Sequence, residues 1–165
     1  MTDAPMILAI DPGPTESACV QLNNNGFPVG FGKFPNEEML TYCYATVNTV
    51  CERIRSYGMP IGSETLETCE WCGRFQQRVI AMGHGWHWLT RKDVVTALCG
   101  SARAKDANVR QSLIDRYGGK AAAIGMKKAP GPLYGIRADV WSALAVACVW
   151  QDRWRAGLVK VEVAS

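Results

Sequence analysis

Three carboxylates in this sequence each lie at one end of an apolar segment. Asp11 follows the apolar run 7–10 and precedes a turn that contains proline and glycine. Glu52 ends the segment 46–52, which is rich in β-branched residues, and Asp139 begins an apolar helical pattern. Three oxygen donors of this kind suit Mg²⁺ or Mn²⁺. We therefore predict a divalent-metal site at Asp11, Glu52 and Asp139, where two ions about 4 Å apart can promote phosphodiester cleavage.

Each of the three acids also has an ordinary structural explanation. Asp11 can cap a turn, Asp139 can be a helix N-terminal acid that complements the helix dipole, and Glu52 can be an exposed side chain. The order of the elements that carry the acids favours the metal site over these three separate explanations.

The pattern of apolar residues predicts strands followed by helices. The expected strands cover 6–11, 18–22, 29–34, 47–52 and 86–89, with turn residues at 23–26. The expected helices cover 37–45, 63–82, 91–98, 106–117 and 139–155. Strands alternating with helices predict an α/β fold: a mixed five-stranded sheet with three antiparallel strands first and helices on both faces.

Four residues are predicted to begin or end these helices. Asn36, Ser63 and Thr90 are expected to be N-caps, since their side chains can accept a hydrogen bond from the first turn. Gly100 is expected to end the helix that follows Thr90. The segment 127–135, rich in lysine, proline and glycine, is expected to be a linker before the last helix.

Length and composition indicate one globular domain covering 1–165, with a core of about 6–156. The net charge is +3, but the segment 91–128 carries nine basic residues against three acids. That segment can face nucleic-acid phosphates or can form a solvated helical surface. We expect no membrane span, since no apolar run approaches 18 residues. The seven cysteines and the lack of a signal peptide predict a cytoplasmic protein with reduced thiols.

The order and spacing of two cysteines and two histidines are similar to the ligand pattern of a Cys₂His₂ zinc finger. Cys69 and Cys72 are followed by His84 and His87, but the histidine spacing is too short. If 66–82 form one helix, its rise of about 1.5 Å per residue places Cys69 roughly 20 Å from the far end, so four ligands cannot meet at one ion. Both cysteines also lie on the predicted apolar face. We therefore expect no zinc.

Several segments resemble the ribonuclease H-like superfamily. Within it, the chain is similar to RuvC-type Holliday junction resolvases, and most similar to their bacteriophage relatives. The similarity rests on the acids above and on five segments in the same order, namely Ile10-Asp11-Pro12-Gly13, the Glu52 segment through Met59, Glu67 to Phe75, Cys99 to Asp106, and Pro130 to Gly135 leading to Asp139.

This resemblance implies a function for the acids. It implies a homodimer that binds a four-way DNA junction and nicks two strands, with Asp11, Glu52 and Asp139 as catalytic metal ligands for two Mg²⁺ or Mn²⁺ ions. In the family a fourth carboxylate follows one helical turn after Asp139, where this chain has Ser142. Val95 lies where these proteins often carry a lysine, whose charge Arg91, Lys92 or Lys105 would then supply.

Basic residues around these segments are candidates for contacts with DNA phosphates. Arg74 and Arg78 belong to the long helix that the resemblance assigns to the dimer and DNA-binding face. The full candidate set is Arg74, Arg78, Arg91, Lys92, Arg103, Lys105, Lys127 and Lys128. The first two can equally serve solubility, and the last two can equally belong to an ordinary linker.

Two other functions stay open at this point. A related nuclease with the same acids can act on hybrids, flaps or forks, and the sequence does not separate these substrates. A junction-binding protein without catalysis is also possible, since Ser142 replaces an acid.

Overall fold

The computed structural model describes residues 4–43 and 48–159. Its centre is a five-stranded sheet of order β3-β2-β1-β4-β5. The strands are β1 (Ile7–Asp11), β2 (Glu16–Leu22), β3 (Pro28–Pro35), β4 (Asn48–Arg53) and β5 (Gly85–Thr90). Strand β2 pairs antiparallel with both β1 and β3, whereas β4 pairs in parallel with both β1 and β5. The predicted mixed sheet is confirmed.

The described residues form six helices around the sheet. They are α1 (Asn36–Tyr42), α2 (Ser63–Ala81), α3 (Arg91–Cys99), α4 (Asp106–Arg116), α5 (Lys120–Ala123) and α6 (Val140–Arg155). Two short strands, β6 (Gly125–Met126) and β7 (Ala129–Pro130), form a separate antiparallel hairpin.

The two faces of the sheet carry separate apolar clusters, as the alternation of side chains along a strand requires. Ile7 and Ala9 of β1 belong to the cluster that includes residues of α3, α4 and α6. Leu8 and Ile10 belong to the cluster that includes residues of α1 and α2. Helices therefore cover both faces, as predicted, and we call these the α6 face and the α2 face.

Helix α6 is almost entirely buried against the sheet. Its residues from Val140 to Gln151 are buried except Ser142, which explains why this segment is apolar on nearly every side. The one buried polar residue at its far end, Gln151, donates through Nε2 to the carbonyls of Pro5 and Asn23. The start of α6, with Asp139 before it, is thereby fixed relative to the sheet.

Two of the predicted caps are confirmed and two are wrong. Thr90 accepts from the backbone N–H of Asp93 in a capping box, and Gly100 ends α3 in the left-handed conformation. Asn36 lies inside α1, because its side chain is engaged by the buried Ser17 instead of the helix start. Ser63 also lies inside its helix, and Gly62 occupies the N-cap position.

Other differences concern short elements and helix ends. Helix α5 was not predicted, and the expected linker 127–135 contains most of the β6–β7 hairpin. The first helix ends at Tyr42, earlier than expected. The predicted end at Ala45 and the predicted strand start at Val47 lie outside the described residues. No helix in the described ranges is long and apolar enough to cross a membrane.

Candidate active site

Asp11 and Glu52 lie side by side at one edge of the sheet. Ile10 pairs with Cys51 in the parallel β1–β4 ladder, so the next residue of each strand is an acid at the same level. Alternation places both acids on the α6 face, because Ala9 and Val50 belong to that cluster. Both carboxyls are partly buried.

Asp139 lies immediately before α6, and its negative charge acts on Asp11. Burial, together with the negative charges of Glu52 and Asp139, raises the pKa of Asp11 to about 7, against the opposing charges of Arg91 and Lys33. Asp11 therefore lies partly buried within reach of the charges of two other acids, whereas Asp139 itself is exposed.

Arg91 partly balances this negative charge. Burial raises the pKa of Glu52, while the positive charge of Arg91 lowers it. Arg91 is the first residue of α3 and forms an ion pair with Asp106 at the start of α4. Arg91, Lys92 and Lys105 were the candidates to supply the positive charge that the family's lysine would carry at the position of Val95. Of these, Arg91 acts electrostatically on both Asp11 and Glu52. Val95 itself is buried in the core.

Lys33 is a second cation beside the acids, after Arg91, and was not predicted from the sequence. Its Nζ lies 2.6 Å from Oδ2 of Asp139, and the two side chains are 42% and 52% exposed. Lys33 stands opposite Ala18 in β2, which in turn stands opposite Asp11 in β1. A register shift between Gln21 and Leu22 places Lys33 in this row. A regular hairpin continued from the Leu22–Pro28 pair would place Gly32 opposite Ala18 instead, so the predicted hairpin and alternation alone do not identify Lys33.

The three acids do not converge on one point in this conformation. Within 4–43 and 48–159, no three His, Cys, Asp or Glu side chains are close enough together to hold one ion. Asp139 instead pairs with Lys33. The donors still fit a hard divalent cation chemically, because such a cation would neutralise a carboxylate whose pKa is raised by burial and by the charges of Glu52 and Asp139.

A cleft of about 410 Å³ opens beside Asp139. Its walls include Ser142, Asp106, Arg91 and Arg110, and the Arg110 guanidinium lies 4.9 Å from the ring centre of Trp141. Ser142 therefore shares a cavity with Asp139, where a fourth carboxylate was expected from the resemblance. A second cavity of about 320 Å³ shares Arg91 and Asp106 with the first and is also lined by Lys92, Tyr57 and Val95, among others.

The predicted DNA-binding residues fall into separate groups. Arg91 and Lys92 begin α3, and Lys105 precedes α4, so these three lie near the clefts. Arg103 is exposed in the turn between the same helices. Arg74 and Arg78 instead belong to α2, which covers the opposite face. The structure does not bring these two arginines to the acids.

Arg74 already has partners on its own face. Its guanidinium lies 3.6 Å from Glu37 and 4.3 Å from the ring centre of Trp71.

Lys127 and Lys128 form the turn of the β6–β7 hairpin, and both are exposed. Close packing fixes the base of this hairpin. A Cβ on Gly131 would lie 2.3 Å from the carbonyl oxygens of Ala122 and Ala123, so α5 and the hairpin are in contact without room for a side chain. Lys127 and Lys128 therefore lie at the exposed turn of a hairpin whose base is fixed by its packing against α5.

The cysteines and histidines of the zinc-finger-like motif have other surroundings. Cys72 is buried, with its Sγ 3.9 Å from that of Cys51. Cys69 is exposed, so its expected place on the buried apolar face was wrong. His87 lies 3.3 Å from the side-chain oxygen of Asn48.

The sheet order, the strand directions and the helices on both faces define a ribonuclease H-like fold. Two solved structures of RuvC from Thermus thermophilus share it, one of them in complex with Holliday junction substrate. Both superpose with a TM-score of 0.67, at 15% and 17% sequence identity. The matches cover 94% and 95% of this chain and 99% of each RuvC chain.

The comparison with RuvC confirms the predicted fold and the resemblance at the level of fold. No family model matches the chain, and no curated protein matches it. Similarity to the bacteriophage branch stays a prediction.

Proposed function

We propose that this protein is a metal-dependent endonuclease that resolves four-way DNA junctions. The observation that carries the proposal is the placement of Asp11 and Glu52 at adjacent parallel strand ends, with Asp139 beside them, on a RuvC-like fold. The RuvC structure in complex with Holliday junction substrate supports branched DNA as the ligand class.

Asp11, Glu52 and Asp139 would hold Mg²⁺ or Mn²⁺, up to two ions in each site. A bound pair of such ions supplies an activated water and stabilises the leaving oxygen of a phosphodiester. The chain itself contributes the orientation of the acids. Strands β1 and β4 fix Asp11 and Glu52 through their ladder, and the buried helix α6 fixes the position of Asp139.

Basic residues beside the clefts would bind the DNA backbone. Arg91, Lys92, Lys105 and Arg103 lie at the ends of α3 and α4, and Lys127 and Lys128 project from the hairpin. Charges of this kind position a nucleic acid without reading its bases. We expect them to place the phosphodiester over the acids.

Two symmetric nicks require two active sites, so the proposal includes a homodimer. Helix α2 offers a surface for it, since Leu66 and Ile80 are 56% and 52% exposed on that helix. Exposed apolar side chains of this size are what an interface between two copies would cover. Arg74 and Arg78 would then lie on the dimer and not at the acids.

The test is cleavage of a labelled immobile four-way junction, with a linear duplex of matching sequence as control. Each is incubated with Mg²⁺, Mn²⁺ or chelator, and Asp11→Asn is assayed in parallel. We expect paired nicks in the junction alone, only with metal, and none with the variant. Cleavage that persists in excess chelator would contradict the proposal. An RNA–DNA hybrid is assayed as a third substrate. Equal cutting of the junction and the hybrid would instead indicate a nuclease that acts on a broader range of substrates.

One observation favours a second candidate, a junction-binding protein without catalysis. Ser142 lines the cleft beside Asp139 where an acid is expected, and serine is a poor ligand for Mg²⁺. Tight junction binding with no nicks in either metal would support this candidate. Nicks in either metal would exclude it.

A further inference from the structure

Lys33 lies on the edge strand β3, beside the candidate acids. Its ammonium lies 2.6 Å from Asp139, and its positive charge also acts on Asp11. Neither partner of the ion pair is deeply buried, with 42% and 52% of the side chains exposed. An ion pair this exposed contributes little to stability. Its position beside the acids therefore calls for an explanation other than folding.

We infer that Lys33 is a built-in competitor of the divalent cation: it pairs with Asp139 in the metal-free protein and is released to bind a DNA phosphate when metal binds. The inference rests on the proposed function and deepens it. It makes Lys33 a positioning residue in the free protein and a substrate-binding residue in the loaded one.

The competition follows from the geometry of Asp139. Oδ2 of this carboxylate accepts a hydrogen bond from the Lys33 ammonium, and within the described ranges the acids do not form a group that could hold an ion. A cation that coordinates Asp139 together with Asp11 must displace this ammonium. The cation must also overcome electrostatic repulsion by the Lys33 ammonium. Lys33 lies opposite Ala18, which lies opposite Asp11, in one row across the sheet.

The release has a chemical consequence for substrate binding. A lysine ammonium is a compact charge with three donors and is a common partner of phosphate. Arg91 also acts electrostatically on Asp11, and in addition on Glu52, but its guanidinium is paired with Asp106. Displacement of Lys33 would therefore free a positive charge next to the acids at the moment when the site gains metal, so metal binding and DNA binding would support each other.

The first experiment measures Mn²⁺ binding without DNA by calorimetry. It compares the natural chain with Lys33→Met, Asp139→Asn and the double variant, and uses Lys120→Met as the matched control. Lys120 is an exposed lysine on α5, away from the acid-bearing elements. We expect Lys33→Met to bind Mn²⁺ roughly three- to tenfold more tightly, because a competing ion pair and a repelling charge are lost. The gain should largely disappear in the Asp139→Asn background.

The outcomes separate this inference from the proposed function. If the natural chain and Lys33→Met both fail to bind Mn²⁺, the metal site itself is wrong. If the natural chain binds Mn²⁺ and Lys33→Met binds it equally or more weakly, the proposed metal site is supported. The competition between Lys33 and the cation is then refuted. A purely structural role for Lys33 would not produce tighter metal binding.

The second experiment counts phosphate contacts. Affinity for a labelled junction is measured over a range of salt concentrations, in chelator and in Ca²⁺, which binds oxygen ligands as Mg²⁺ does. We expect the slope of log affinity against log salt to decrease by about one for Lys33→Met in Ca²⁺ and to be unchanged in chelator. An equal decrease in both conditions would refute the release of Lys33 by metal.

Discussion

The hydroxyl of Ser17 donates a 2.6 Å hydrogen bond to Oδ1 of Asn36, and both side chains are buried. Nδ2 of Asn36 donates to the carbonyl of Gly13 at 2.9 Å, and the backbone N–H of Gly13 donates to Oγ of Ser17 at 3.2 Å. These bonds connect the turn after Asp11 to the start of α1. The network fixes the path of the chain as it leaves the candidate site.

Replacing Asn36 with alanine should destabilise the protein by about 2–3 kcal/mol, because it leaves the buried Ser17 hydroxyl and the Gly13 carbonyl without their partner. Urea unfolding followed by circular dichroism measures the loss. Asn25→Ala, in an exposed turn, is the control and should change stability by less than about 0.5 kcal/mol. Equal effects of the two substitutions would show that the network does not contribute to stability.

Asp11→Asn should stabilise the metal-free protein at high pH while abolishing cleavage. The pKa of Asp11 is about 7 in the folded chain, above the value near 4 of an unfolded chain. Folding therefore favours the protonated acid, and the stability of the natural chain decreases as pH rises from about 4 through 7. The asparagine has no such dependence.

Thermal unfolding in chelator tests this expectation. At pH 8 the Asp11→Asn variant should unfold a few degrees above the natural chain, and this difference should shrink towards pH 4. A constant difference across this range would mean that Asp11 carries no unbalanced charge in the fold.

Ser142→Asp should tighten Mn²⁺ binding by roughly tenfold, since a carboxylate is a far better ligand than a hydroxyl for such an ion. The new side chain would enter the cleft that Asp139 already lines. Calorimetry measures the affinity, and Ser142→Asn serves as the uncharged control of similar shape. A variant that binds Mn²⁺ no better than the control would mean that position 142 does not reach the metal.

Lys127→Gln combined with Lys128→Gln should weaken binding to all DNA sequences and reduce the salt slope by about two, because each lysine in the hairpin turn is expected to contact one phosphate. Fluorescence anisotropy on the junction gives both quantities. Lys120→Gln is the control on the neighbouring helix. The melting temperature should stay unchanged, since both hairpin lysines are exposed. An unchanged salt slope would indicate that the hairpin does not touch DNA.

The main elements and the location of the acids were predictable because they depend on strong local patterns. Apolar runs defined β1 and α6, and the acid at the end of each run could be read directly from the sequence. Asp11 and Glu52 were each expected at the end of a predicted strand, and the β1–β4 ladder shows these strands to be neighbours.

The errors arose where distant parts of the chain decide the outcome. Asn36 looks like an N-cap locally, but Ser17, 19 residues earlier, binds its side chain. Lys33 carries no local signal, since its role depends on strand register and on a helix start 106 residues away. Elements as short as α5 and the β6–β7 hairpin have too few residues for a periodic pattern.

The distance along the chain between Lys33 and Asp139 also bears on how the protein acquires activity. The two residues meet across 106 positions, so their contact forms only after β3 has joined the sheet and α6 has docked on it. Contacts of such long range carry a large loop-closure entropy and slow the folding of a chain. During synthesis, a chain that has not yet reached Asp139 has only two of the three candidate metal ligands and lacks α6, the buried helix on the face of the sheet that carries the acids. On the proposed function, we therefore predict that a nascent or truncated chain does not cut DNA.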